Sequence, residues 1–160
     1  MNVITSDPYT NEEITQKLGV KLVDLDTLLS TADAITIHTP LTRETKGIIG
    51  ADAFSKVKPG LLLVNCARGG IVDETALLDA LEKRIVAGAA LDVFEVEPPP
   101  ADHPLLTRDD VICTPHLGAA TAEAQEKVAI ELTQQVADYL TNNTIHNTII
   151  ITLQIIPSIK

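Results

Sequence analysis

The chain has 160 residues and a formal net charge of −10. Such an acidic chain repels phosphate backbones and anionic membrane surfaces, which argues against nucleic-acid and membrane partners. Hydrophobic residues make up 45%, yet there are two Tyr, two Phe and no Trp. The core must be aliphatic, which suits an α/β protein better than a sandwich of aromatic cross-strand pairs.

Strand-like and helix-like patterns alternate along the chain. Residues 3–5 are a short apolar run ending at Asp7-Pro8. Residues 12–18 read as a helix closed by Gly19, 21–23 as a short strand, and 26–31 as a brief helix with Asp24 or Asp26 as its cap. A strand over 34–38 stops at Pro40, and 50–55 read as helical. Pro59-Gly60 signals a turn into the wholly apolar strand 61–65. Residues 73–83 form an amphipathic helix, 86–93 a strand, 95–104 a proline-rich loop, 111–114 a short strand and 121–140 a long helix.

This alternation predicts a parallel sheet with helices on both faces, its apolar strands buried on both sides. In such sheets ligands sit beyond the carboxyl ends of the strands, so Asp7, Thr39, Cys66 to Arg68, Asp92 and His116 carry the most interest. Neither Cys66 nor Cys113 has metal-ligand spacing, and both are expected as small buried side chains; no metal site is expected. The N-terminus lacks a signal-peptide pattern and no apolar run is long enough to span a membrane, which points to a cytoplasmic setting.

His116, in Thr114-Pro115-His116-Leu117-Gly118, directly follows a strand, where an imidazole is placed for general acid/base work. The plainer reading is a structurally bonded loop histidine. Glu97 would orient that ring if the two meet in space; otherwise it is a solvated loop charge. Arg68 opens Arg68-Gly69-Gly70, where a guanidinium can grip a carboxylate through paired hydrogen bonds. Its alternative is a pairing with Asp73 or Glu74 at the next helix start. Asp7 either accepts hydrogen bonds from ribose hydroxyls or makes an ordinary Asp-Pro turn.

Three runs carry a resemblance: Asn65-Cys66-Ala67-Arg68-Gly69-Gly70-Ile71-Val72-Asp73-Glu74, Ala90-Leu91-Asp92-Val93-Phe94 followed by Glu97-Pro98, and Thr114-Pro115-His116-Leu117-Gly118-Ala119-Ala120-Thr121. Together and in this order they resemble the signature of the D-2-hydroxyacid dehydrogenases, most nearly the phosphoglycerate dehydrogenase branch, over about residues 3–147. The resemblance implies an NAD-dependent oxidoreductase of D-2-hydroxy acids, acting on 3-phosphoglycerate in serine biosynthesis, with a small hydroxy or oxo acid as substrate. It implies Arg68 on the substrate carboxylate and carbonyl, His116 as acid/base and Glu97 as the keeper of the imidazole proton. It places Asp7, Thr39, Cys66, Ala67, Arg68, Asp92, His116, Gly118 and Ala119 along the cofactor.

The expected fold is a Rossmann-like doubly wound parallel sheet that is incomplete, because no Gly-x-Gly-x-x-Gly occurs in these residues. Residues 1–147 would be the NAD-binding domain, short of its first strand, and 148–160 a tail of undefined structure. Without that strand, the strands over 3–5 and 34–38 must pair directly or leave two open edges. Weak NAD binding, little activity of the chain alone, and homo-oligomer formation or association through exposed edges are expected. The alternative is a non-catalytic module acting through dimerisation or complementation. The uncharged apolar run 149–156 is an aggregation risk if unpaired.

Overall fold

The computed structural model describes residues 1–118 and 120–145, in two units divided after Gly118. The tail expectation for 148–160 lies outside the described residues.

The first unit opens with a small parallel pair. Strand β1 (Ile4–Thr5) leads to helix α1 (Glu12–Lys17), whose Asn11 cap accepts from Ile14 N–H, and returns as β2 (Lys21–Leu22) beside β1. Helix α2 (Leu25–Thr31) is capped by Asp24, whose carboxylate accepts from Thr27 N–H. A short polar side chain at each cap satisfies a backbone donor that the first turn leaves open.

The main sheet is parallel, in the order β3 (Ala34–Ile37), β4 (Leu61–Asn65), β5 (Val86–Leu91), β6 (Val111–Cys113). Helix α3 (Ala51–Lys56) links β3 to β4, and α4 (Glu74–Glu82), capped by Asp73, links β4 to β5. Gly60 turns the chain into β4 at φ +89°, a conformation costly for any side chain. A 3-10 turn at Pro104–Thr107 falls after the proline-rich loop, where the sequence suggested only irregular chain.

Strands β1 and β3 do not pair. They lie in separate sheets, and β3 is the first strand of its sheet. Among the described residues the expected direct pairing of these two strands is therefore not formed.

The core fills one face of the main sheet. Ile35, Ile37, Leu61, Leu63, Val86 and Leu91 point to it and pack with Leu29, Phe54, Leu77 and Leu81, all buried. Each such side chain contributes about 1.5–3 kcal/mol through burial. On the opposite face, in register, stand Leu62 and Gly88, then Val64, Ala90 and Ile112. There Leu62 is 51% and Ile112 69% exposed. The continuous apolar run of β4 is therefore not buried on both sides, which corrects the expectation from sequence. Period-two placement decides burial, and hydrophobicity alone does not.

The second unit contains helix α5 (Ala122–Asn142), capped by Thr121 and ended by Asn143 in the left-handed region. Val128, Leu132, Val136, Tyr139 and Leu140 recur at helical spacing as a stripe, all exposed. No helix among the described residues is long and apolar enough to cross a membrane.

Candidate active site

Register aligns the strand ends. Ile37 pairs with Asn65, Asn65 with Leu91, and Leu91 with Cys113. The residues that follow form one rim, stitched by Asp92 N–H to Asn65 O and Thr114 N–H to Leu91 O, both at 3.0 Å. Thr39, Cys66, Asp92 and His116 thus leave the sheet from the same edge, as strand-end placement requires.

Buried Asn65 shapes the β4 exit. Its side-chain amide donates to Arg68 O at 3.0 Å and its Oδ1 accepts from Ala67 N–H at 3.1 Å. This folds Cys66 to Arg68 into a tight turn and leaves Arg68 exposed. The guanidinium donates only to Ala67 O among the described residues. Asp73 caps α4 instead, and Glu74 pairs with His103, so the surface ion-pair reading of Arg68 does not hold. Cys66 is exposed and Cys113 half-buried, against the expected burial. Cys66 lies one residue past the last ladder position, where the core ends.

Gly69 fixes how the next loop lies. A Cβ built at Gly69 would stand 1.7 Å from Phe94 O and 2.9 Å from Glu95 N. Only glycine lets these two backbones touch, and the contact sets Arg68 beside the loop that carries Glu97. In that loop Phe94 N–H donates to Glu97 Oε1 at 3.0 Å. The other oxygen, Oε2, lies 2.7 Å from His116 Nδ1. The structure therefore brings Glu97 and His116 into direct contact.

His116 takes φ 54°, in the left-handed region. That conformation costs a residue with a Cβ on the order of 1 kcal/mol. Buried Asp92 holds it there: Oδ1 accepts from the Thr114 hydroxyl and, at 2.8 Å, from Leu117 N–H. Burial pushes the Asp92 carboxyl up, but hydrogen bonds from Thr114, Leu117 and Gly118 outweigh it and hold the group below the usual range. Glu97 is also held low, first by the His116 ring and then by Phe94 N–H.

Asp7 belongs to the other sheet, two residues beyond β1. Its Oδ1 accepts from Tyr9 N–H at 2.8 Å in an Asp-Pro turn, and the residue is exposed. Thr39 and Gly118 are exposed at the rim; Ala119 lies outside the described residues. A cavity of about 300 Å³ is lined by Lys46, Glu74, Glu95 and His103 among others and includes none of Arg68, Glu97 and His116. The candidate site is the open rim. No metal-binding group of three or more His, Cys, Asp or Glu occurs among the described residues. Asn65 and Thr114 were not singled out from sequence. Both stood inside the quoted motifs, but only their buried or short hydrogen bonds reveal the work they do.

The family model described as the D-isomer specific 2-hydroxyacid dehydrogenase, NAD binding domain, matches residues 1–118. The chain belongs to this family. A D-3-phosphoglycerate dehydrogenase of Archaeoglobus fulgidus is 48% identical over 149 residues, covering 93% of this chain and 28% of that protein. The chain thus spans little more than a quarter of the dehydrogenase it matches. The fold agrees with a glyoxylate reductase from Paecilomyes thermophila at TM-score 0.80 and 32% identity, over 91% of this chain and 44% of that one. A formate dehydrogenase from Staphylococcus aureus, solved in complex with NAD, gives TM-score 0.77 and 36% identity, over 91% and 43%. The parallel α/β architecture is therefore that of a Rossmann-like NAD-binding domain of 2-hydroxyacid dehydrogenase type.

The residues of this dehydrogenase domain fit NAD. Cys66, Ala67 and Gly118 put small side chains, or none, at the strand ends, and a Cβ at Gly118 would meet nothing within 4 Å. The exposed Asp7 carboxylate could accept from a ribose hydroxyl.

Proposed function

We propose that this chain is the nucleotide-binding part of an NAD-dependent dehydrogenase that oxidises 3-phosphoglycerate, in serine biosynthesis and in the cytoplasm. The observation that carries the reading is the 2.7 Å contact between Glu97 Oε2 and His116 Nδ1 on the rim that also bears Arg68. With Nδ1–H donated to Glu97, Nε2 is the ring atom that takes the substrate's C2 hydroxyl proton. Arg68 binds the substrate carboxylate and stabilises charge on the C2 oxygen as it becomes a carbonyl. Asp7, Thr39, Cys66, Ala67, Asp92, Gly118 and Ala119 line the cofactor. Bound NAD supplies the hydride acceptor. The A. fulgidus relative's name supports the choice of 3-phosphoglycerate.

The test places this chain in the matched segment of the A. fulgidus enzyme and assays NADH formation with 3-phosphoglycerate, D-lactate and glycolate. Turnover led by 3-phosphoglycerate supports the reading. Preference for another 2-hydroxy acid shifts the substrate, and no turnover with any of them overturns it.

A second reading, a non-catalytic module working through self-association, draws on the exposed Leu62 and Ile112 of the main sheet. Light scattering separates the two: a monomer at micromolar concentration removes the support for association.

A further inference from the structure

Glu74, the first residue of α4, uses both carboxylate oxygens. Oε1 accepts from Glu95 N–H at 2.6 Å, and Oε2 lies 3.0 Å from His103 Nε2. His103 Nδ1 accepts from Leu105 N–H at 3.3 Å, which puts the ring proton on Nε2, facing Glu74. The two side chains are largely buried, at 17% and 19% exposure. The His103 ring stands edge-on to Phe94, with centroids 5.5 Å apart and planes at 75°.

Glu95 and Phe94 are the residues through which Glu97 is held. Glu74 ties the Glu95 backbone to α4, His103 braces the Phe94 ring, and Phe94 N–H donates to Glu97 Oε1. The Gly69 backbone closes the other side. Among the described residues, the side-chain hydrogen bonds of Glu74 and His103 go to each other, to Glu95 and to Leu105, and none goes to Glu97 or His116.

We infer that Glu74 and His103 are positioning residues, a clamp that sets the Phe94–Glu97 loop so that the Glu97 carboxylate meets His116. The catalytic meaning of the clamp rests on the dehydrogenase reading; the geometric part does not. Glu74 must be a carboxylate, because it faces two N–H donors. Glutamine in either orientation turns its NH₂ against one of them. At His103, glutamine extends an amide N–H toward Glu74, whereas leucine offers none.

The test is carboxyl NMR of Glu97 in the full chain. The wild-type carboxyl titrates below the ordinary glutamate range because His116 and Phe94 hydrogen-bond its charged form. In Glu74→Gln and in His103→Leu the Glu97 titration moves up toward the ordinary range, and in His103→Gln it stays near wild type. An unchanged Glu97 titration in variants that keep a folded amide spectrum overturns the inference, as does an equal shift in His103→Leu and His103→Gln. Should Glu74→Gln not fold, the two His103 variants carry the same test. Because the readout needs no turnover, a failed dehydrogenase reading leaves this result standing. In the A. fulgidus chimera, Glu74→Gln and His103→Leu lower kcat and leave KM for 3-phosphoglycerate unchanged, while His103→Gln keeps kcat near wild type; the reverse pattern also overturns the positioning role.

Discussion

Glu97 Oε2 and His116 Nδ1 stand 2.7 Å apart although 19 positions separate them in the chain. Two different anchors create the contact. Asp92 holds the backbone that carries His116, and Phe94 N–H holds the Glu97 carboxylate. Loss of either anchor should loosen the pair without touching it.

Glu97 sets an acid limit on stability. Its carboxyl is held low first by the His116 hydrogen bond and then by Phe94 N–H, with burial opposing, from an ordinary value of 4.5. A carboxylate with a depressed folded pKa stabilises fully above its unfolded value and loses that contribution as pH falls through the folded one. The stability advantage of wild type over Glu97→Gln should be flat from neutral pH to about 4.5 and shrink below it. Urea denaturation at stepped pH reads this, and an advantage that is constant or grows on acidification contradicts it.

Asp92→Asn should cost about 1–3 kcal/mol, because an amide NH₂ then faces a donor among Thr114, Leu117 and Gly118 in a buried place. Thermal or urea denaturation gives the loss. The His116 Cα shift should also leave its left-handed signature; a variant of wild-type stability with that signature intact would remove Asp92 as the anchor.

Gly69→Ala tests the backbone contact between the two loops. With the new Cβ at 1.7 Å from Phe94 O, the loops must separate, at a cost of about 1–3 kcal/mol or more. Glu97 should then titrate nearer the ordinary glutamate range. Wild-type melting temperature in this variant would show that the contact is not tight in solution.

Asp7→Asn bears on cofactor choice. The carboxylate can accept from ribose hydroxyls and repel a 2′-phosphate, and a hydrogen bond to a charged group is worth about 1.5–3 kcal/mol. Calorimetry should show NAD affinity falling roughly tenfold or more and the preference over NADP narrowing. Equal affinities before and after the change exclude Asp7 from the ribose site.

Much of the architecture was legible because local signals agreed with the fold. Polar caps at Asn11, Asp24, Asp73 and Thr121 stand where the helices begin, and Leu61–Asn65 matches the expected strand residue for residue. The rim residues could be named because a parallel sheet sends its strand ends to one edge. Burial was less legible. The apolar run in β4 concealed an exposed Leu62, and Cys66 sits just past the core. The Glu74–His103 clamp was invisible, since its members lie 29 positions apart and neither has an unusual local pattern. Long-range polar pairs are fixed by tertiary placement, on which a single sequence is silent.

Turnover of the A. fulgidus chimera with 3-phosphoglycerate and NAD, before and after His116→Ala, bears most directly on whether this imidazole moves the substrate proton. A fall in kcat of about 10²–10⁴-fold is expected for loss of a positioned acid/base. Undiminished turnover in a folded His116→Ala protein would contradict the assignment.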